Sequence, residues 1–326
     1  MKKNGIQTSA SGAVATKEIK PLLGTGKVRI FGKNYDKDQL LCAGVLMLPV
    51  MVAVVVIFIL PVIQVVRYSF TNFNMNTGKG KFTGLENYKF LLTDTRMRKA
   101  LWNTVCFATL KLVFDTGLAL LIALMLDSNV PLRRFLRSTY FAPVVVPVVA
   151  SSLIWIWFFD PEIGPLNQIL EALGLQPLQW LYSENTALIS ILIFSVWKGV
   201  GYNVMLFLTG LQNIPDSYLE AAKVDGATNT QALFKIKLPL LRPITSFIVM
   251  IGIINTFKVF AEVDVMTPKG GPSYSTALIV NYIYEQAFTR GKMGRACAAS
   301  IILFVIIFVL TQIQSKLDSS KEVSYE

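Results

Sequence analysis

Four ionisable residues stand inside long apolar runs, Lys111, Asp115, Lys198 and Lys258, and a charge in such a place is costly enough to need a reason. Lys111 and Asp115 are four residues apart, so one helical face carries both and an ion pair is within reach. Such a pair is cheaper to bury than either charge alone, and it can serve structure only. Lys198 and Lys258 can lead their ammonium groups out to water or meet a partner subunit; Lys198 could also meet an acidic solute. Beside Lys198 lie Ser195, Gly199 and Tyr202, at helical offsets of four and three. A later run offers Asn255, Thr256 and Phe260. Hydroxyls, amides and rings facing one cavity suit a polyhydroxylated ligand, whose apolar faces stack on rings while its hydroxyls find fixed partners. For Tyr202 and Thr256 the competing reading is ordinary helix–helix packing.

Bond-making chemistry has little to work with. The chain contains no histidine, which removes most zinc hydrolases, histidine acid–base catalysis and the Ser-His and Cys-His nucleophile systems. Cys42, Cys106 and Cys297 fall in or beside apolar runs without a CxxC pair, and read as small buried hydrophobes, with neither a disulfide framework nor a metal site. Gly24-Thr25-Gly26-Lys27 lacks the spacing of a GxxxxGKS/T nucleotide loop.

The elements that must position these groups are membrane spans. Of the 326 residues 53% are hydrophobic and 16% charged, with a mean hydropathy of +0.52, too apolar for an ordinary soluble domain. Residues 40–66 carry no charge. As a helix they reach roughly 40 Å, more than a ~30 Å hydrocarbon core. Apolar runs predict six spans, at about 40–66, 100–126, 138–159, 186–211, 243–264 and 296–314, within a membrane domain of residues 40–315. The first is too long for a cleavable signal peptide and follows a basic tail, residues 1–39, whose early part reads as disordered and lies near anionic lipid. With that tail and the C-terminal tail (316–326) on the cytoplasmic side, the inner segments hold 17 lysines and arginines and the outer loops 11, which favours this orientation. A short amphipathic stretch, Leu166, Ile169, Leu170 and Leu173, falls in the second outer loop.

The segment 212–242 between the fourth and fifth spans is polar and has helix signals of its own. Pro215 and Asp216 suit a helix start, and Ser217 to Val224 reads as a short helix that Gly226 ends. Thr228 with Gln231 reads as a capping box for a second helix, which runs through Phe234 and Ile236 and ends before Pro239. The bland reading is a surface hairpin that links two spans.

Glu220-Ala221-Ala222, three residues, Gly226, nine residues, Ile236, one residue and Leu238-Pro239 resembles the EAA loop of binding-protein-dependent ABC importer permeases. The resemblance implies an all-α membrane protein, a six-span helical bundle with a cytoplasmic EAA coupling loop. Glu220, Ala221, Ala222, Asp225, Gly226, Ile236, Leu238 and Pro239 would dock on a separate ATPase. Phe82-Thr83-Gly84-Leu85-Glu86-Asn87-Tyr88, Ala100-Leu101-Trp102-Asn103-Thr104, Trp197-Lys198-Gly199-Val200-Gly201-Tyr202 and Thr267-Pro268-Lys269-Gly270-Gly271-Pro272 are similar to stretches of the carbohydrate branch, its maltose-permease-like member of a two-permease pair. In that branch the positions of Ser195, Lys198, Gly199, Tyr202 and Thr256 line the sugar path, with Asn203, Asn255, Phe257 and Phe260 as second-rank candidates. The expected partners are a second, similar permease, two ATPase subunits, an extracytoplasmic solute-binding protein, a carbohydrate and membrane lipid, with no nucleic acid. No cofactor is expected in this chain, since ATP and magnesium would belong to the ATPase. The setting implied is a bacterial or archaeal cell (inner) membrane. Alternatives are a permease for a phosphate ester or another small polar solute, and an ion-driven secondary transporter. The latter calls for an inverted repeat and paired carboxylates, whereas Asp115 reads as the one carboxylate central to a span.

Overall fold

The computed structural model describes the backbone of residues 27–30, 33–127 and 133–319, and the side chains of 40–127 and 135–318. The early tail with its expected disorder, Gly24-Thr25-Gly26, and most of the C-terminal tail lie outside the described residues. The chain divides into two compact units, residues 1–63 and 64–326.

In the first unit, strands β1 (Lys27–Ile30) and β2 (Lys33–Asp36) pair antiparallel, with Lys27 opposite Asp36 and Ile30 opposite Lys33. The sequence reading places no strand in this tail; β-branched Val28 and Ile30 ahead of the two-residue link Phe31-Gly32 are the overlooked signal. Helix α1 (Lys37–Val54), a π-helical stretch (Val55–Ile59) and α2 (Leu60–Ser69) follow without interruption, and Leu40–Ser69 is long and apolar enough to cross a membrane. The π turn has a cause. Pro61 has no N–H and its ring crowds the carbonyl four residues back, so the helix widens just before it, with the Leu60 N–H reaching five residues back to Val55.

The second unit holds α3 (Glu86–Thr93), α4 (Thr95–Asp127), α5 (Arg133–Val145), α6 (Val148–Phe158), α7 (Pro165–Ala172) and α8 (Ala187–Gln212). Then come α9 (Asp216–Val224), α10 (Asn229–Ala232), α11 (Leu238–Leu240), α12 (Arg242–Thr256), α13 (Ala261–Met266), α14 (Ile279–Tyr284) and α15 (Met293–Ser319). Together with Leu40–Ser69, helices α4, α8 and α15 meet the length and hydropathy of spans; two bent helix pairs bring the number to six if each counts as one. Apart from the β1–β2 hairpin the described residues are all-α, as befits a helical membrane protein with four straight spans and two bent pairs. The amphipathic stretch of the second outer loop is α7, with Ile169 and Leu173 exposed and Leu166 turned to the core.

Two expected spans are not single helices. The third, expected over 138–159, is α5 and α6 meeting at 101°. Pro147 breaks it, because it cannot donate to Pro143 O one turn back. The fifth, expected over 243–264, stops at Thr256 and resumes as α13. At that end the Thr256 hydroxyl donates back to Gly252 O within the last turn. Helices α5 and α8 pass so close that a Cβ on Gly201 would lie 2.0 Å from Tyr140 O. Of the three cysteines only Cys297 is buried; Cys106 is half-buried and Cys42 exposed, which corrects the expectation for those two. An apolar run that faces lipid or a partner gives its small residues no cover from their own chain.

Candidate functional site

Mid-depth in the bundle, the Lys111 ammonium donates to Asp115 Oδ2 at 2.7 Å and to Ser195 O at 2.8 Å. The pair read from the four-residue spacing is therefore made, and it ties α4 to α8. A Cβ on Gly199 would stand 3.2 Å from that ammonium, so this candidate path position forms the wall behind the ion pair. Asp115 Oδ1 is buried and has no hydrogen-bond partner. The Ser195 hydroxyl donates to Glu262 Oε1 at 3.2 Å, linking α8 to α13. The sequence reading counts Asp115 as the one carboxylate central to a span and passes over Glu262, although Glu262 lies inside the expected fifth span.

Lys198 is committed elsewhere. Its ammonium donates to Pro143 O at 2.7 Å, Val146 O at 2.7 Å and Val144 O at 3.4 Å, the carbonyls at the broken end of α5. Pro143 O is the acceptor whose helical donor would have been the missing N–H of Pro147, so Lys198 replaces that donor. It also sets a positive charge at a helix C-terminus, where the dipole favours it. Among the other candidates, Ser195 and Thr256 are buried, Asn203 and Phe260 half-buried, and Tyr202 and Asn255 exposed. Phe257 is buried in a different cluster, with Leu91, Tyr282 and Ala298, and so is not brought to the Ser195 group. Phe260 meets Tyr284 in a tilted ring contact, centroids 5.0 Å apart.

The second place of interest is the hairpin 212–242. Helix α9 starts at Asp216 after Pro215. It ends in a glycine turn, with the Ala227 N–H bonded to Ala222 O at 2.9 Å, the Gly226 N–H to Lys223 O at 3.1 Å, and Gly226 at φ +77°. Thr228 and Gln231 form the expected capping box, at 3.3 and 2.8 Å. The second helix does not end before Pro239. It runs from Asn229 to Leu240, through a π stretch, Leu233–Lys237, that widens the turn ahead of the proline as at Pro61. Ala222 is buried under the hairpin, while Glu220, Ala221, Asp225, Gly226 and Pro239 are exposed and Ile236 and Leu238 half-buried. Three apolar side chains also face outward, Tyr218, Phe234 and Val224, the last 87% exposed. Sequence reasoning missed them; the signal was apolar residues off the inward-facing period. Lys237 pairs with Asp127 at 2.7 Å, fastening the hairpin to the end of α4.

On the opposite side, Asn103 donates to Tyr274 O and Ala277 O at 3.2 and 3.1 Å, and Thr104 Oγ1 accepts from the Ile279 N–H at 2.8 Å. The stretch 100–104 noted in the sequence is thus tied to the segment 274–279, just after the stretch 267–272. Lys269, Ser273 and Tyr274 there hold left-handed φ of 62°, 48° and 66°.

Residues 116–323 match the family described as binding-protein-dependent transport system inner membrane component. The arabinooligosaccharides transport system permease protein AraP of Bacillus subtilis is 32% identical, over 83% of this chain and 87% of that protein. The sn-glycerol-3-phosphate transport system permease protein UgpA of Escherichia coli is 30% identical, over 85% and 93%. Among solved structures, a chain of a bacterial ABC transporter involved in alginate import superposes with a TM-score of 0.77 at 23% identity, covering 87% of this chain and 96% of that one.

Proposed function

Because the chain belongs to the family of binding-protein-dependent transport system inner membrane components, we propose that it forms half of the translocation path of an ABC importer for a sugar or oligosaccharide. It works beside a second, similar permease and above two ATPase subunits that bind ATP and magnesium. A solute-binding protein delivers cargo from outside. Both termini are cytoplasmic, in a bacterial or archaeal inner membrane. The observation that carries the coupling is the hairpin: a glycine-turned, box-capped pair of helices, pinned to α4 by Lys237–Asp127, that leaves Glu220, Tyr218, Val224 and Phe234 without cover. Apolar residues left open on a polar, cytoplasmic knob call for a protein partner. ATP-driven movement of the ATPase pair then reaches α4 and α12 as rigid-body motion through this contact. Cargo passes the open Tyr202, Asn203 and Asn255. Ser195, Gly199, Lys198 and Thr256 shape the wall behind them, with Phe260 further out and Phe257 in the supporting core. AraP and its sugar-transporting kin favour carbohydrate cargo; UgpA supports a second reading, a phosphate ester.

The test is co-expression with the partner permease and ATPase. Glu220→Arg with Val224→Asp should insert and fold normally, yet lose the ATPase on purification and abolish uptake of labelled oligosaccharide into vesicles. ATPase retained at the level of the unaltered chain would refute the coupling role.

A further inference from the structure

A hollow of about 530 Å³ opens between the loop after α2, helix α3 and the start of α15. Lys79, Lys81, Lys292 and Arg295 line it against one carboxylate, Glu86. Among the described residues none of these five is in an ion pair, and Arg295 lies over the Phe90 ring at 3.6 Å. Nearby cations are matched: Arg96 and Arg290 both reach Glu285 at 2.7 Å, and Lys99 donates to Ser273 O. The frame is rigid. Asn87 donates to Ser69 O and Thr71 O, the Lys81 N–H to Asn72 Oδ1, and the Gly294 N–H to Phe73 O. A fixed hollow with a surplus of unpaired cations keeps an unspent attraction for carboxylates.

Its side of the membrane follows from the spans. On the six-span topology, in which each bent helix pair counts as one crossing, the loop after the first span and the start of the sixth face away from the loop after the fourth, which carries the coupling hairpin. We propose that this hollow is a docking point for acidic side chains of the solute-binding protein, an assignment that rests on the importer reading above. Lys79 and Lys81 stand on one wall of the hollow and Lys292 and Arg295 on the other, all but Arg295 exposed, a spread that several carboxylates on a protein surface can meet together. Like other exposed complementary charges, they act mainly on association rate and are weakened by salt.

The experiment uses the assembled importer in lipid nanodiscs, with the solute-binding protein that stimulates its ATPase. Lys79→Glu, Lys81→Glu and Lys292→Glu together should raise the half-saturating binding-protein concentration by about tenfold or more at low salt and leave the maximal ATPase rate unchanged. High salt should shrink the difference, and the glutamine triple should fall between. An unchanged half-saturation, or a loss confined to the maximal rate, overturns the proposal. So does an effect that vanishes in purely zwitterionic lipid, which would make the hollow a lipid-headgroup site, or relief of the difference by millimolar free galacturonate, which would make it a small-acid site. If no binding protein stimulates the intact importer, the importer reading itself has failed.

Discussion

Lys198 makes bonds that its place in the sequence did not announce. Its place beside Ser195, Gly199 and Tyr202 suggested a contact with an acidic cargo, but its ammonium is used by Pro143 O and Val146 O. Lys198→Met should therefore destabilise the purified complex by about 1–3 kcal/mol, the cost of leaving such acceptors unpaired, and Lys198→Arg by less. Uptake of neutral and anionic analogues should fall by the same factor; a selective loss of the anionic one would restore the cargo contact. At Gly226 the constraint is backbone geometry. A Cβ there meets nothing within 4 Å, so Gly226→Ala should cost only the left-handed strain, roughly 1–2 kcal/mol, and lower the amount of bound ATPase per complex without abolishing it. Both residues stood out in the sequence. The role of Gly226 was legible because a helix end is a local matter, whereas the role of Lys198 depended on a proline fifty or so residues upstream.

At the scale of elements, long uniform spans were readable and interrupted ones were not. Helices α4, α8 and α15 match the expected runs to within a few residues, since unbroken apolar sequence is the signal itself. The third span broke at Pro147, whose meaning was blurred by Pro143 sitting within α5 without ending it. The fifth broke with no proline or glycine between Phe257 and Phe260, so no residue type marked the break in the sequence. The hairpin's second helix ran past Pro239 because a π turn absorbs the clash, which a rule of strict helix termination misses. The outer loop is an element held from outside: Asn103 ties down two carbonyls of a segment with three left-handed non-glycine residues. Asn103→Ala should free that strain. Limited proteolysis between residues 267 and 277 should then be severalfold faster, with the coupling hairpin's cleavage unchanged.

For the whole molecule, the polar groups of the interior form links between spans: Lys111 and Asp115 join α4 to α8 through Ser195 O, the Ser195 hydroxyl reaches Glu262 on α13, and Lys198 reaches α5. The long unbroken spans were legible in the sequence; these cross-links were not, because each depends on which helices become neighbours. One of them bears on how the chain enters the bilayer during synthesis. A lysine at the centre of a lone helix costs about 2.5–3.5 kcal/mol to partition into lipid. A broken helix with bare carbonyls is unwelcome there too. In membrane-inserted chains truncated after Phe158, a cysteine placed in α6 should therefore stay open to a water-soluble maleimide, and in chains extended past Gln212 it should be protected. On that account the third span waits for the fourth, and the two settle into the bilayer together.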